Sequence, residues 1–178
     1  DAMRQKMTNG NNPDDFLMIY VGRLGAEKRI KDVRDMLERL PSNVRFAVVG
    51  KGPQEVELQQ YFKGTNTVFM GQLSGDELSQ AFASADVLIM PSDSETLGFV
   101  VLESMASGVP VVGCAAGGIP SIIDHEKTSF LVPPGDTDQY VATIKKLMAK
   151  GDRAYCRNMG KAARLEAERW GWEAATSD

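Results

Sequence analysis

Residues Met90–Gly108 read M-P-S-D-S-E-T-L-G-F-V-V-L-E-S-M-A-S-G. The apolar run Asp86–Met90 (D-V-L-I-M) leads in as a strand, Pro91–Thr96 is a polar turn, and Leu97–Ser107 is an apolar helix. A strand that feeds a helix start presents unpaired backbone N–H groups and the positive end of a dipole, which suits an anion. Two carboxylates punctuate the stretch, Glu95 in the turn and Glu103 in the helix. Glu103 lies among Val100, Val101, Leu102, Met105 and Ala106, where an ionised carboxylate is costly unless it accepts hydrogen bonds. Vicinal hydroxyls of a ribose would supply donors; so would an arginine or a backbone amide.

The same alternation extends in both directions. Strands are expected at Leu17–Val21, Arg45–Val49, Thr67–Met70, Val109–Gly113 and Ser129–Val132. Helices are expected at about Ile30–Leu40, from Pro53 to about Phe62, after Ser74, at Ile119–Asp124, Thr137–Lys150 and Arg153–Arg169. Gly64 suits the position just past its helix, and Ser74 with Glu77 has capping-box spacing. Continuous apolar strands alternating with helices predict an α/β, doubly wound, Rossmann-like parallel sheet of six strands. Ligands of such sheets bind at the carboxyl ends of the strands. The loops Gly22–Lys28, Gly50–Pro53, Gly71–Ser74, Pro91–Thr96 and Gly113–Gly118 are therefore expected to converge on one crevice. Residues 1–16, polar and rich in Asn, Gly, Pro and Asp towards their end, read as a linker.

Composition narrows the function. The 178 residues fit one domain, and a net charge of −4 lacks the basic balance of a general nucleic-acid binder. No apolar run reaches the roughly 20 residues of a membrane span, and no signal peptide is visible at the start. Cys114 and Cys156 fit no zinc spacing and read as reduced thiols. The single histidine, His125, reads as a solvated loop residue, and no nucleophilic triad or metal cluster can be assembled.

The loops offer chemistry of their own. Arg23 and Lys28, in G-R-L-G-A-E-K, would neutralise a diphosphate; alternatively they are two surface cations with Glu27 as a solvated partner. Gly50-Lys51-Gly52-Pro53 is either a plain turn or a place where backbone approaches a ligand. It is no dinucleotide fingerprint, because no third glycine follows at the right offset, and no Walker A pattern exists. Gly117-Gly118 reads as a sharp turn or as a second phosphate or sugar contact. Trp170 and Trp172 read as packing at a domain junction or as ordinary helix-end anchors.

Together these motifs resemble the retaining nucleotide-sugar glycosyltransferases of family four, and within them the donor-binding C-terminal half of the two-domain GT-B architecture. The matching residues are Val21–Lys28 (V-G-R-L-G-A-E-K), Val49–Pro53 (V-G-K-G-P), the Glu95/Glu103 pair in its surroundings, Ala116–Pro120 (A-G-G-I-P) and Phe130–Asp136 (F-L-V-P-P-G-D). A narrower group, the plant and algal sulfoquinovosyltransferases, is similar in Gly75–Val87, in S-E-T-L-G-F-V-V-L-E, in M-R-Q-K-M-T-N-G near the start and in W-x-A-A-T at Trp172–Thr176. Ser121 departs from the family, many members of which carry an acidic residue there.

The resemblance implies roles. Arg23 and Lys28 would bind the diphosphate and stabilise the leaving UDP. Backbone N–H groups around Leu97, Gly98, Phe99 and Val100 would cradle a phosphate. Glu103 would take the ribose hydroxyls, Glu95 would face the donor sugar, and uracil would lie along Met70-Gly71, with Gly22 and Gly52 allowing close approach. No metal or other cofactor is implied. The implied activity of the whole protein is transfer of sulfoquinovose from its UDP form to diacylglycerol, with peripheral membrane association in the plastid; a cytoplasmic site is the alternative. The acceptor would be held by an N-terminal domain outside residues 17–178, so this chain alone is expected to bind UDP weakly and not to transfer. Lys51 is a candidate for the extra cation a sulfonate would want. Rival readings are a family relative with another UDP-sugar, a non-catalytic nucleotide-binding module, a starch-synthase-like or epimerase-like relative, and an NAD domain.

Overall fold

The computed structural model describes residues 2–10, 15–91, 99–114, 130–133, 135–149 and 154–169. Among them six parallel strands form one sheet: β1 (Phe16–Val21), β2 (Val44–Val49), β3 (Thr67–Gly71), β4 (Val87–Met90), β5 (Val111–Cys114) and β6 (Phe130–Val132). Their order is β3-β2-β1-β4-β5-β6. This is the doubly wound arrangement in which the strand order reverses beside β1, and the crevice opens at the carboxyl ends there. The ladder from Phe16↔Val44 to Val21↔Val49 sets the carboxyl ends of β1 and β2 level.

Strand periodicity sorts the core into two layers. From β1, Phe16, Met18 and Tyr20 pack with Val33 and Met36 of α2 (Asp32–Arg39), Leu58 of α3 (Glu55–Tyr61) and Tyr140 and Ile144 of α6 (Thr137–Met148). The alternate residues Leu17, Ile19 and Val21 pack on the other face. Their partners there include Phe82 of α4 (Gly75–Ser84), Val101 and Met105 of α5 (Phe99–Ala106), and Ala163 and Ala167 of α7 (Ala154–Arg169). Both faces of β1 are buried, which is why its sequence reads as one unbroken apolar run.

Three expectations are corrected. Residues 2–8, read as part of a linker, form helix α1 (Ala2–Thr8), with Met3 and Met7 buried in the second layer. The two methionines lie four apart on one helical face. Between them Arg4 donates to the carbonyls of Ser84 (2.7 Å) and Asp15 (2.6 Å) and to Asp86 Oδ2 (3.1 Å). Asp86 Oδ2 also accepts from the Leu17 N–H at 2.8 Å, so one arginine ties α1, α4 and the entry to β1 together. Second, the fifth strand begins two residues later than expected. Val109 is taken up by the helix before it, its N–H donating to the Ser104 carbonyl and its carbonyl accepting from Ser104 Oγ at 2.9 Å. Third, Ser74 occupies the N-cap of α4 with extended backbone, but its hydroxyl makes no cap hydrogen bond. The expected helix at 119–124, His125, Ser121, Trp170 and Trp172 lie outside the described residues, as does the Cys156 side chain; Cys114 is buried.

Helix α7 closes on the turn after α5 at Gly160, where an added Cβ would run into the carbonyl of Gly108 and meet Pro110 at 3.5 Å. Backbone against backbone leaves no flexible group to yield. Alanine favours a helix interior by about 1 kcal/mol over glycine, while overpacking costs up to about 3 kcal/mol. The clash therefore wins, and Gly160→Ala should lower Tm by about 4–8 °C in a thermal melt. An unchanged or raised Tm would show that α7 can move away at no cost.

Candidate functional site

The site is built where the sheet's hydrogen bonding runs past its strands. Beyond β1 the Gly22 N–H donates to the Val49 carbonyl (3.0 Å), and Leu24 N–H to the Lys51 carbonyl (2.9 Å). The Gln54 N–H returns to the Leu24 carbonyl (3.0 Å), and Gly50 N–H donates to the Gly71 carbonyl (2.8 Å). The loops that leave β1, β2 and β3 are thus stitched edge to edge. They enclose a crevice of about 280 Å³ lined by Val21, Gly22, Arg23, Val49, Gly50, Lys51, Gln72 and Leu73. The expected convergence holds for these three loops. The turn after β4 and the loop after β5 lie, beyond Pro91 and Cys114, outside the described residues.

This stitching explains two glycines differently from the sequence reading. A Cβ on Gly50, whose φ is +142°, would strike the Gly22 carbonyl oxygen, and one on Gly52 would sit 2.5 Å from the Leu24 carbonyl oxygen. Gly52, expected among the ligand contacts, is bare because the neighbouring loop's backbone fills the space. Gly71 (φ +72°) turns the chain out of β3. Met70 packs against the second core layer, so its side chain is engaged inside the fold.

Arg23 is held from two sides. Its carbonyl accepts from Tyr20 Oη at 2.8 Å, and its Nη1 donates to Glu27 Oε1. Both side chains of the pair are about half exposed, 57% for Arg23 and 47% for Glu27. Glu27's carboxyl is held below its ordinary value, first by its own backbone N–H, then by the charges of Arg23 and Lys28. Lys28 closes a short 3-10 turn, Ala26–Lys28, half-buried at the base of the same loop. The turn ends at Arg29, a non-glycine residue in the left-handed region (φ +56°), whose side chain pairs with Asp32 at 3.0 Å. In this structure the bland alternative for Arg23, a surface cation paired with Glu27, is the one observed; its place in the crevice wall beside Lys51 is also observed.

Glu103 sits half-buried in α5, and desolvation pushes its carboxyl above the ordinary value. Among the described residues its carboxylate has no hydrogen-bond partner; only its backbone carbonyl is engaged, by Ser107. Phe99 and Val100 open α5, while Glu95, Leu97 and Gly98 lie outside the described residues. The strand end before them is anchored, since Tyr140 Oη of α6 donates to the Met90 carbonyl at 3.0 Å in the buried core. Gln72 and Leu73 fall in the loop Gly71–Ser74 that was expected to reach the crevice, whereas Tyr20 and Tyr140 went unmarked in the sequence. A tyrosine in an apolar stretch signals that its hydroxyl needs a partner, without saying which carbonyl will meet it. Gln72 and Leu73 were findable only as the residues after a strand's carboxyl end.

Among the described residues no group of three or more His, Cys, Asp or Glu side chains could hold a metal ion. No helix among them is long and apolar enough to cross a membrane.

A family model described as "Glycosyl transferases group 1" matches residues 2–166. A sulfoquinovosyl transferase of Arabidopsis thaliana is 48% identical over 178 residues, which cover 98% of this chain and 34% of that protein. The solved sucrose-phosphate synthase of Thermosynechococcus elongatus superposes with a TM-score of 0.81 at 30% identity, over 98% of this chain and 46% of that one. An Anabaena protein, HepE, solved in complex with UDP and glucose, superposes with a TM-score of 0.78 at 23% identity, over 88% of this chain and 44% of that one. The chain thus spans about a third of the curated relative and less than half of each solved structure.

Glu103 gives a pH test. A carboxyl raised in the fold binds its proton more tightly there than in the unfolded chain. Stability from this group therefore falls as pH rises from the unfolded carboxyl value, about 4.3, through the raised folded value, and is level above it. Glu103→Gln removes that penalty and should raise Tm by about 1–3 °C at pH 7, a gain that shrinks to nothing near pH 4. Parallel melts of both proteins across pH 4–8 check it. A lower Tm for the glutamine variant at pH 7 would mean that the carboxylate already has strong donors.

Proposed function

This chain belongs to the group 1 glycosyl transferases, and from that premise we propose that it is the donor-binding half of a retaining, UDP-sugar-dependent transferase that moves sulfoquinovose onto diacylglycerol. The observation that carries the reading is the 48% identity to the Arabidopsis sulfoquinovosyl transferase across nearly the whole chain. The geometry is compatible in kind: a crevice at the carboxyl ends of a doubly wound sheet, with Arg23 and Lys51 in its wall, and a desolvated carboxylate at Glu103.

The chemistry follows from the charges. Breaking the bond between the sugar and the diphosphate leaves an oxocarbenium-like sugar and an extra negative charge on the leaving oxygens. Cations already aimed at those oxygens stabilise that separation, and such preorganised electrostatics is usually the largest catalytic contribution. In this proposal Arg23 and Lys28 serve the diphosphate, and N–H groups at 97–100 serve its oxygens. Glu103 accepts from the ribose hydroxyls, Glu95 orients the sugar, and the base lies along Met70-Gly71. Lys51, beside Arg23, is the cation for a sulfonate. The chain's own residues carry the charge stabilisation, so no metal and no further cofactor enters the proposal. The whole protein would work as a peripheral enzyme on a plastid membrane, where its lipid acceptor resides.

Calorimetric titration with UDP tests the donor site. Arg23→Ala and Glu103→Ala should each weaken binding by about tenfold or more, the scale of one charge-assisted hydrogen bond. Tighter binding of ADP-sugar or NAD than of UDP would overturn the reading. The sugar assignment is tested on the full-length protein with diacylglycerol: UDP-sulfoquinovose should be strongly preferred, and preference for UDP-glucose would refute it.

A further inference from the structure

Gly25 has an ordinary extended backbone, φ −118° and ψ 160°, that any residue can adopt. Its lack of a side chain is therefore not a demand of the turn. An added Cβ would collide with Arg23 Nη1 and lie 2.5 and 2.6 Å from the two carboxylate oxygens of Glu27. The space that a side chain at position 25 would need is occupied by the Arg23–Glu27 ion pair, which folds over the buried glycine. Arg23 lines the crevice, whereas Glu27 is not among its lining residues. The pair thus draws the guanidinium to a carboxylate outside the crevice wall.

From this placement we infer that the Arg23–Glu27 pair is a resting latch on the site: an anionic ligand must displace Glu27 to take Arg23, and Gly25 supplies the room in which the latch closes. The inference rests on the donor reading above, because it concerns the arginine assigned to the diphosphate. The pair is about half exposed on both sides, which makes it weak enough to be exchanged. A diphosphate offers the planar guanidinium paired oxygens and more negative charge than one carboxylate does. Glu27 also places a like charge near the incoming anion, so its effect opposes binding in both ways. The latch would keep Arg23 ordered and solvated between encounters, at the expense of some affinity.

Two variants open the latch by different means. Glu27→Gln removes the competing charge. Gly25→Ala leaves every charge in place and fills the space under the pair, with a backbone conformation that alanine accepts. Both proteins should keep the wild-type circular dichroism spectrum and bind UDP about two- to fivefold tighter by calorimetry, the range set by the worth of an exposed ion pair. In the Arg23→Ala background the Glu27→Gln gain should vanish. Weaker UDP binding by Glu27→Gln would make Glu27 a support that positions Arg23 and would overturn the latch. A gain that persists without Arg23 would reduce it to general charge repulsion, which also overturns it. If UDP binds and Arg23→Ala has no effect, the assignment of Arg23 to the donor fails first. That result is read from a different variant than the ones that test the latch.

Discussion

The backbone of the loop after β1 lies so close to the backbone of the loop after β2 that neither Gly50 nor Gly52 has room for a β-carbon. Everything at the candidate site depends on that contact. It lets the sheet's hydrogen bonding continue from Val49 to Lys51 and from Gly50 to Gly71, beyond the last residues that twist regularly. Loops held only by their ends would sample many arrangements, and a crevice wall made of them would have no fixed spacing between Arg23 and Lys51. Stitched together, they inherit the rigidity of the sheet. The tyrosines extend the same principle. Tyr20 fixes the Arg23 carbonyl and Tyr140 the Met90 carbonyl, each from within the buried core. The core thereby holds the main chain at the end of β4 and in the loop after β1.

The opposite edge of the sheet carries a different kind of constraint. Arg4 and Asp86 join helix α1, the end of α4 and the entry of β1, and Asp15, almost fully buried, pairs with Arg45 at 3.1 Å. Arg4 and Asp86 meet backbone groups as well as each other, so the cost of burying them is met by hydrogen bonds. The polar network therefore sits at the amino ends of the strands, where it specifies how helices and strands join. The carboxyl ends carry Arg23, Lys51 and the desolvated Glu103, and in a doubly wound sheet that is the end where ligands bind.

The sheet was legible because β1 and β4, and β2 beyond Arg45, are buried on both faces and so read as apolar runs. Their boundaries fell within one residue of those read from the sequence. The fifth strand slipped by two because Val109's hydrogen bonds go to Ser104, a choice between neighbours that no pattern encodes. Helix α1 was invisible for a related reason. Two methionines four residues apart are a short signal beside a polar stretch, and what orders them is Arg4's reach to residues some 80 positions away. At the site, Arg23 and Glu103 stood out by their chemistry and their position. The reasons for Gly25, Gly50 and Gly52 did not, since a glycine in a loop looks the same whether it yields to a ligand, to another backbone or to an ion pair.

Two groups at the ligand edge make opposite demands. Glu103 is desolvated, with its carboxyl raised and no described donor. Arg23 is tied to Glu27 across a glycine, away from the crevice that it lines. The desolvated carboxylate costs a little stability, which a domain with about 5–15 kcal/mol in hand can carry. A purely anionic ligand would serve Arg23 and repel Glu103, and a neutral sugar would serve Glu103 alone. A molecule that carries hydroxyl donors at one end and a diphosphate at the other relieves both at once. That complementarity of opposite demands, more than any single residue, is what favours a nucleotide-sugar over simpler ligands of the same fold.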